Sequence, residues 1–265
     1  MIPPFELFGK TFGIYPLCAL AGIFACGLFA CVQAKKRGLD VDDMIVALLL
    51  CAVGALVGGH ILYGITNLPL LGQVLARVPE TGLSGDFWSG MLLVFGGSVF
   101  YGGLLGGMAA GGLYWKKKKL PAGYVDVMAV SVPLFHTFGR VGCFLGGCCY
   151  GIECPVGFVY TQNPIPQANG VRRFPVQLLE ALFCLLLFLA LFALLHRGLC
   201  RGRLLAVYLC VYSVGRFFLE FLRGDAYRGF LFGFSTSQII SMLLLLGTLL
   251  FPLINHHRTP APARE

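Results

Sequence analysis

Long apolar runs alternate with short polar clusters along this chain. Positions 12–34 form a first run closed by Lys35, Lys36 and Arg37, and 42–66 a second, rich in Gly54, Ala55, Gly58 and Gly59. Further runs cover 91–115, ending in Lys116 to Lys119, then a fourth from Tyr124 into the glycines after His136, then 175–195, 204–222 and 235–254. An α-helix needs about 20 such residues to cross a hydrocarbon core of ~30 Å. The pattern predicts an all-α integral membrane protein of about seven transmembrane helices, with 1–265 as a single polytopic domain. Between the runs, 67–90 reads as an external loop with an amphipathic piece, broken by Pro69, Pro79, Gly82 and Gly85 and carrying Phe87 and Trp88 at the interface. Stretches 157–174 and 223–233 read as external loops, and 255–265 as a disordered cytoplasmic tail.

Charge orients the spans. The clusters at 35–37, at 116–119 and at 196–203 fall on one side of the seven-span arrangement, which makes that side cytoplasmic and puts the N-terminus outside and the C-terminus inside. Composition agrees, since 57% of residues are hydrophobic and 12% charged, against roughly 25% charged in soluble domains. The net charge of +8 is spent on these flanking clusters and forms no basic face, so no nucleic-acid partner is expected. The N-terminus lacks a basic region and a small-residue cleavage site before its first apolar run, so no cleaved signal peptide is expected.

Two basic residues escape the orientation argument. Arg140 and Arg216 lie within or at the edge of spans, where a charged side chain costs about 2.5–3.5 kcal/mol or more and calls for an anion. Arg140 sits in the densest stretch of the chain, with Gly139, Gly142, Gly151, Cys143, Cys148, Cys149 and Cys154 around it. Glu220 stands four residues after Arg216 and Arg223 seven after, on one helix face. An internal ion pair is one reading. The other is a bound phosphate, because one glutamate cannot balance three guanidinium groups, which hold phosphate through paired hydrogen bonds. The segment 96–107 is glycine-rich, and Gly102 and Gly103 let a lipid or a neighbouring backbone approach. Tyr101 there carries a hydroxyl that acts as a base only beside a cation. His60 and His136 read as satisfied core histidines. The four clustered cysteines admit disulfides, a metal site with His136, packing, or a thiol nucleophile; the other seven read as small apolar fillers.

These residues resemble the bacterial prolipoprotein diacylglyceryl transferases. The run Gly139-Arg140-Val141-Gly142-Cys143-Phe144, with Gly151 at its end, is similar to that family's signature, and Asp126 precedes the arginine by fourteen residues, as in the family. Phe174-Pro175-Val176-Gln177-Leu178-Leu179-Glu180, the segment 212–225 with Arg216 and Glu220, and Gln238 with Ser241 resemble further blocks, in family order. Three positions depart from the pattern: Tyr101 stands where the family carries a histidine proposed to be catalytic, Cys143 and Cys148 replace a signature asparagine and glutamate, and Phe12 aligns with a tyrosine.

The resemblance implies a multi-pass protein of the bacterial inner or plasma membrane that moves the diacylglyceryl group of phosphatidylglycerol to the lipobox cysteine of prolipoproteins, among membrane lipids, with no cofactor and no metal. In this reading Arg140 and Arg216 stabilise the departing phosphate, Glu220 positions Arg216, and Tyr101 takes the histidine's place. Gly139, Gly142, Gly151, Gly102, Gly103, Gln177 and Arg223 join Arg140 in substrate binding. A related transferase with another acceptor, or a non-catalytic protein that binds or transports anionic lipid, is the alternative.

Overall fold

The structure is a computed structural model that describes residues 5–7, 10–163, 165–225, 230–231 and 233–256. Most of the expected tail, 257–265, lies outside the described residues. Two compact units make up the chain, one of 1–33 with 122–265 and one of 34–121.

In the first unit a short hairpin, β1 (Phe5–Leu7) and β2 (Lys10–Phe12), leads into α1 (Ile14–Lys36). The second unit holds α2 (Val41–Thr66), α3 (Leu68–Ala76), α4 (Val78–Thr81), α5 (Gly85–Phe95) and α6 (Phe100–Lys118). The first unit resumes with α7 (Gly123–Gly146), β3 (Glu153–Val159), β4 (Arg172–Arg173), α8 (Val176–His196) and α9 (Leu204–Leu219), which a 3-10 turn extends over Glu220–Leu222. A hairpin of β5 (Phe230–Leu231) and β6 (Phe234–Ser235) precedes α10 (Thr236–His256).

Among the described residues five helices are long and apolar enough to cross a membrane: α1, α2, α7, α8 and α9 with its extension. The chain is a mostly helical, multi-pass membrane protein, and the sides left exposed, such as Leu49, Leu56, Leu186 and Leu243, are those that meet lipid. The sequence predicts about seven spans, and the third differs. It is divided between α5 and α6, with a break at Gly96 to Val99. Nδ1 of His60 lies 2.8 Å from the carbonyl oxygens of both Phe95 and Gly97, and Val99 donates its N–H to the carbonyl of Gly59 at 3.1 Å. Backbone groups released by the break therefore find partners on α2, as apolar surroundings require. The seventh expected span corresponds to α10, whose apolar part, Thr236–Leu250, falls among the shorter apolar helices.

The loop expected at 67–90 is helical instead. Pro69 and Pro79 sit at the first turns of α3 and α4, where a missing N–H costs nothing, so they start helices rather than break one. Residues 157–174 also hold more order than a turn-rich loop. Antiparallel β3 and β4 are joined around Arg173, which is buried, lies 4.4 Å over the Tyr150 ring, and donates to the carbonyls of Gln167 and Gly151 at 2.5 and 3.3 Å.

Close backbone approach holds the second unit together. A Cβ added at Gly54, Gly58, Gly102 or Gly106 would strike the carbonyl of the glycine opposite it, so α2 and α6 touch main chain to main chain. Their other end is tied by the Tyr114 hydroxyl donating to Asp43 at 2.5 Å and by Lys118 3.5 Å from the same carboxylate.

In the first unit α7 packs against α8 and α9, and α9 against α10. Gly22 and Gly142 bring α1 against α7, and Phe29 of α1 meets Phe188 and Phe192 of α8 edge to face, at 5.1 and 5.4 Å between ring centroids. Asp126 near the start of α7 accepts from the N–H of Gly202 at 2.5 Å and of Leu204 at 3.1 Å. One buried carboxylate thus closes the α8–α9 turn and caps α9, whose first N–H groups have no partner inside the helix.

Candidate active site

Helix periodicity brings three charged residues of three helices together. Arg140 on α7 has its Nε 3.0 Å from Oε1 of Glu180 on α8, and the same oxygen lies 3.9 Å from Nε of Arg216 on α9. Arg216 also pairs one turn on with Glu220, Nη2 to Oε2 at 2.6 Å, and donates to the Ser237 hydroxyl of α10 at 3.3 Å. Glu180, Arg216 and Glu220 are all buried, whereas the Arg140 side chain keeps 20% of its surface accessible. Buried charges need such mutual pairing, because each alone would cost several kcal/mol.

The charge count read from the sequence changes here. Glu180 and Glu220 serve Arg140 and Arg216, and Asp225 holds Arg223 through two hydrogen bonds of 2.9 and 2.6 Å, so carboxylates match all three arginines. What remains unmet is directional. Nη1 of Arg216 is buried and makes no hydrogen bond within the described residues, and the same holds for Oγ of Ser213 and Oε1 of Gln177. Buried polar atoms without partners are exceptional in folded proteins, and such atoms are completed by water, an ion or a ligand.

His136, one turn before Arg140, lies in the fields of both Arg140 and Arg216. Its Nδ1 is 3.5 Å from the Tyr208 hydroxyl and its ring 5.3 Å from that of Tyr212. It is hydrogen-bonded among aromatic rings, in keeping with the satisfied core histidine that the sequence reading expects, and stands beside the charged group.

Beyond Arg140, α7 ends where Gly147 takes a left-handed conformation (φ 77°) and Cys149 follows at φ 55°. This reversal folds the chain back, with the Cys148 N–H on the Cys143 carbonyl at 3.1 Å. Side chains hold the reversed segment from outside: Gln177 donates to the Cys148 carbonyl at 2.8 Å, and Asn163 to the Gly147 carbonyl at 2.6 Å. The Sγ atoms of Cys143, Cys148 and Cys149 all lie within 4.8 Å of one another. Cys154 and His136 stand outside that group, and every cysteine is unbridged. Hydrogen bonds from Cys143 and Cys148, then the charges of Arg223 and Arg140, pull the Cys149 thiol below its ordinary range, while burial pushes the nearby Tyr160 phenol up.

The predicted glycines divide by role. Gly139 faces open space, whereas Gly142 packs on Cys18 and Tyr15 of α1. Gly151 lies against the carbonyl of Phe174 and forms a bridge with Arg223. Gly102 and Gly103 are taken up by α2, so in this chain a neighbouring backbone is what approaches there. Tyr101 opens α6 in the second unit. Gln177 donates to the Cys148 carbonyl and, at 3.2 Å, to the Tyr160 hydroxyl. Glu180 and Arg173 are the residues that site reasoning missed; Glu180 is buried against arginines of two other helices, and Arg173 against Tyr150 and Gly151 as well as the nearby Gln167.

Comparison with known proteins places the chain in a family. Residues 4–254 match the family described as "Prolipoprotein diacylglyceryl transferase". The chain is 34% identical to the phosphatidylglycerol–prolipoprotein diacylglyceryl transferase of Clostridium tetani, over 93% of this chain and 95% of the relative. It is 32% identical to a second protein of that name, numbered 2, from Clostridium perfringens, over 94% and 93%, and 35% identical to one from Acinetobacter baumannii, over 86% and 82%. The buried arginine–glutamate core, the membrane-spanning helices and a match over nearly the whole length lead to one conclusion: this chain belongs to the prolipoprotein diacylglyceryl transferase family.

Proposed function

We propose that the Arg140–Glu180–Arg216 group is where this diacylglyceryl transferase holds the phosphate of phosphatidylglycerol while the lipid passes to the lipobox cysteine of a prolipoprotein. The observation that supports it is the Glu180 oxygen 3.0 Å from Arg140 and 3.9 Å from Arg216, beside an Arg216 Nη1 that is buried and makes no hydrogen bond among the described residues. A phosphate oxygen would take that donor.

In the reaction the acceptor sulfur attacks the glyceryl carbon that bears the phosphate ester. The C–O bond breaks as the C–S bond forms, giving a thioether, and glycerol phosphate departs with the bonding pair. Negative charge grows on the phosphate during this step, so fixed guanidinium donors stabilise the transition state more than the bound lipid. Glu180 and Glu220 hold those donors in place beforehand, and the thiol proton must pass to a base. Tyr101 is our candidate, from its place in the family pattern, and His136, one turn before Arg140 on α7, is the alternative. The N-terminus outside and lysines 116–119 inside put the acceptor on the non-cytoplasmic face.

Liposomes of phosphatidylglycerol with a lipobox peptide test the reading by mass spectrometry. A thioether-linked diacylglyceryl peptide is expected from the wild-type protein and a large loss from Arg140→Lys and Arg216→Lys. Full product from both variants would overturn the assignment of the site, and no product from a folded wild-type protein would point to another acceptor.

A further inference from the structure

The cysteine group is not used by the proposed transfer, and it has the makings of a ligand set. Three sulfurs lie within 4.8 Å of one another, a spacing that suits thiolates about 2.3 Å from one shared ion. They come from a helix end and a reversed turn whose shape is independently held. Gly147 and Cys149 take left-handed backbone conformations, which cost a non-glycine residue about 1–2 kcal/mol, and Gln177 and Asn163 clamp the carbonyls of the segment. Such outer hydrogen bonds are what orient ligands before a metal arrives.

We propose that Cys143, Cys148 and Cys149 form a binding site for one soft, thiophilic cation of the Cu(I) or Zn(II) class, beside Arg140. Sulfur-only ligation selects soft ions over Mg(II) or Ca(II). A set of three, without a fourth side chain in the group, suits Cu(I); Zn(II) would complete a tetrahedron with an outside oxygen. Binding displaces the thiol protons to solvent and changes no oxidation state.

The test uses reduced, full-length protein in detergent under anaerobic conditions, titrated separately with chelator-buffered Cu(I) and with Zn(II). One retained equivalent per chain is expected for one of these ions, with a shell of three sulfurs by X-ray absorption. Cys148→Ser and Cys149→Ser should each weaken it by at least about tenfold, and Cys154→Ser should leave it unchanged. Wild-type protein supplies a second readout should the variants misfold: the bound ion should protect Cys148 and Cys149 from alkylation, located by peptide mass. No retained ion, equal retention by both variants, or alkylation unaffected by the ion would each overturn the site.

Discussion

Arg140 and Glu180 meet Nε to Oε1 at 3.0 Å across two helices, with the carboxylate almost wholly buried and the guanidinium partly open. Removing one partner of a buried pair leaves the other charge stranded, at a cost of about 3–5 kcal/mol. Glu180→Ala should therefore lower the melting temperature of the detergent-solubilised protein markedly and abolish transfer. Glu180→Gln, which keeps the shape, should fold better and still lose most activity. Wild-type transfer rates from Glu180→Gln would show that the carboxylate does not position the arginines.

Arg216 carries the sharper test of geometry. Lysine keeps its charge but lacks the planar fork that reaches Glu180, Glu220 and Ser237 at once. Arg216→Lys should cut the turnover rate by about 10²–10³-fold, the usual loss of one preorganised donor. Lipid binding, measured by fluorescent phosphatidylglycerol titration, should fall much less.

The base is separable from the anion site. If Tyr101 accepts the thiol proton, Tyr101→Phe lowers turnover by about 10²–10⁴-fold, with the lipid affinity kept. His136→Gln measured in parallel decides between the two candidates, since only the variant lacking the base should lose its dependence on pH.

Stability away from the site should answer to backbone contacts. Gly106→Val would drive a side chain into the Gly54 carbonyl, and overpacking of this kind costs about 1–3 kcal/mol. Asp126→Ala removes the cap of α9, worth about 0.5–2 kcal/mol. Both losses should show in thermal melts, and only Asp126→Ala should also slow transfer at temperatures well below melting.

Much of this was readable from the chain. The span at 175–195 is shifted by one residue from α8, and that at 204–222 coincides with α9 and its extension, because unbroken leucine and valine runs bounded by charge leave little choice. Arg140 and Arg216 stood out because orientation could not explain them. Glu180 did not, since a glutamate in the first turns of a span looks like a boundary residue until α7 is packed beside it. The break before α6 was hidden for a related reason: glycines at 96 and 97 permit a helix or an end, and the partner that decides, His60, lies on another element. Arg173 falls in the stretch 157–174 that reads as an external loop, and only the folded ribbon shows its donors turned inward.

The cap at Asp126 has a counterpart at the far end of the same helix. Fourteen residues of α7 separate it from Arg140, about 21 Å at 1.5 Å per residue, and twelve residues of α9 separate Leu204 from Arg216, about 18 Å. The two rods are thus pinned at both ends, by a carboxylate on backbone amides below and by guanidinium groups on one oxygen above. Sliding either rod by a single turn would break both pins together, so α7 acts as a ruler that sets where the arginine of α9 comes to rest.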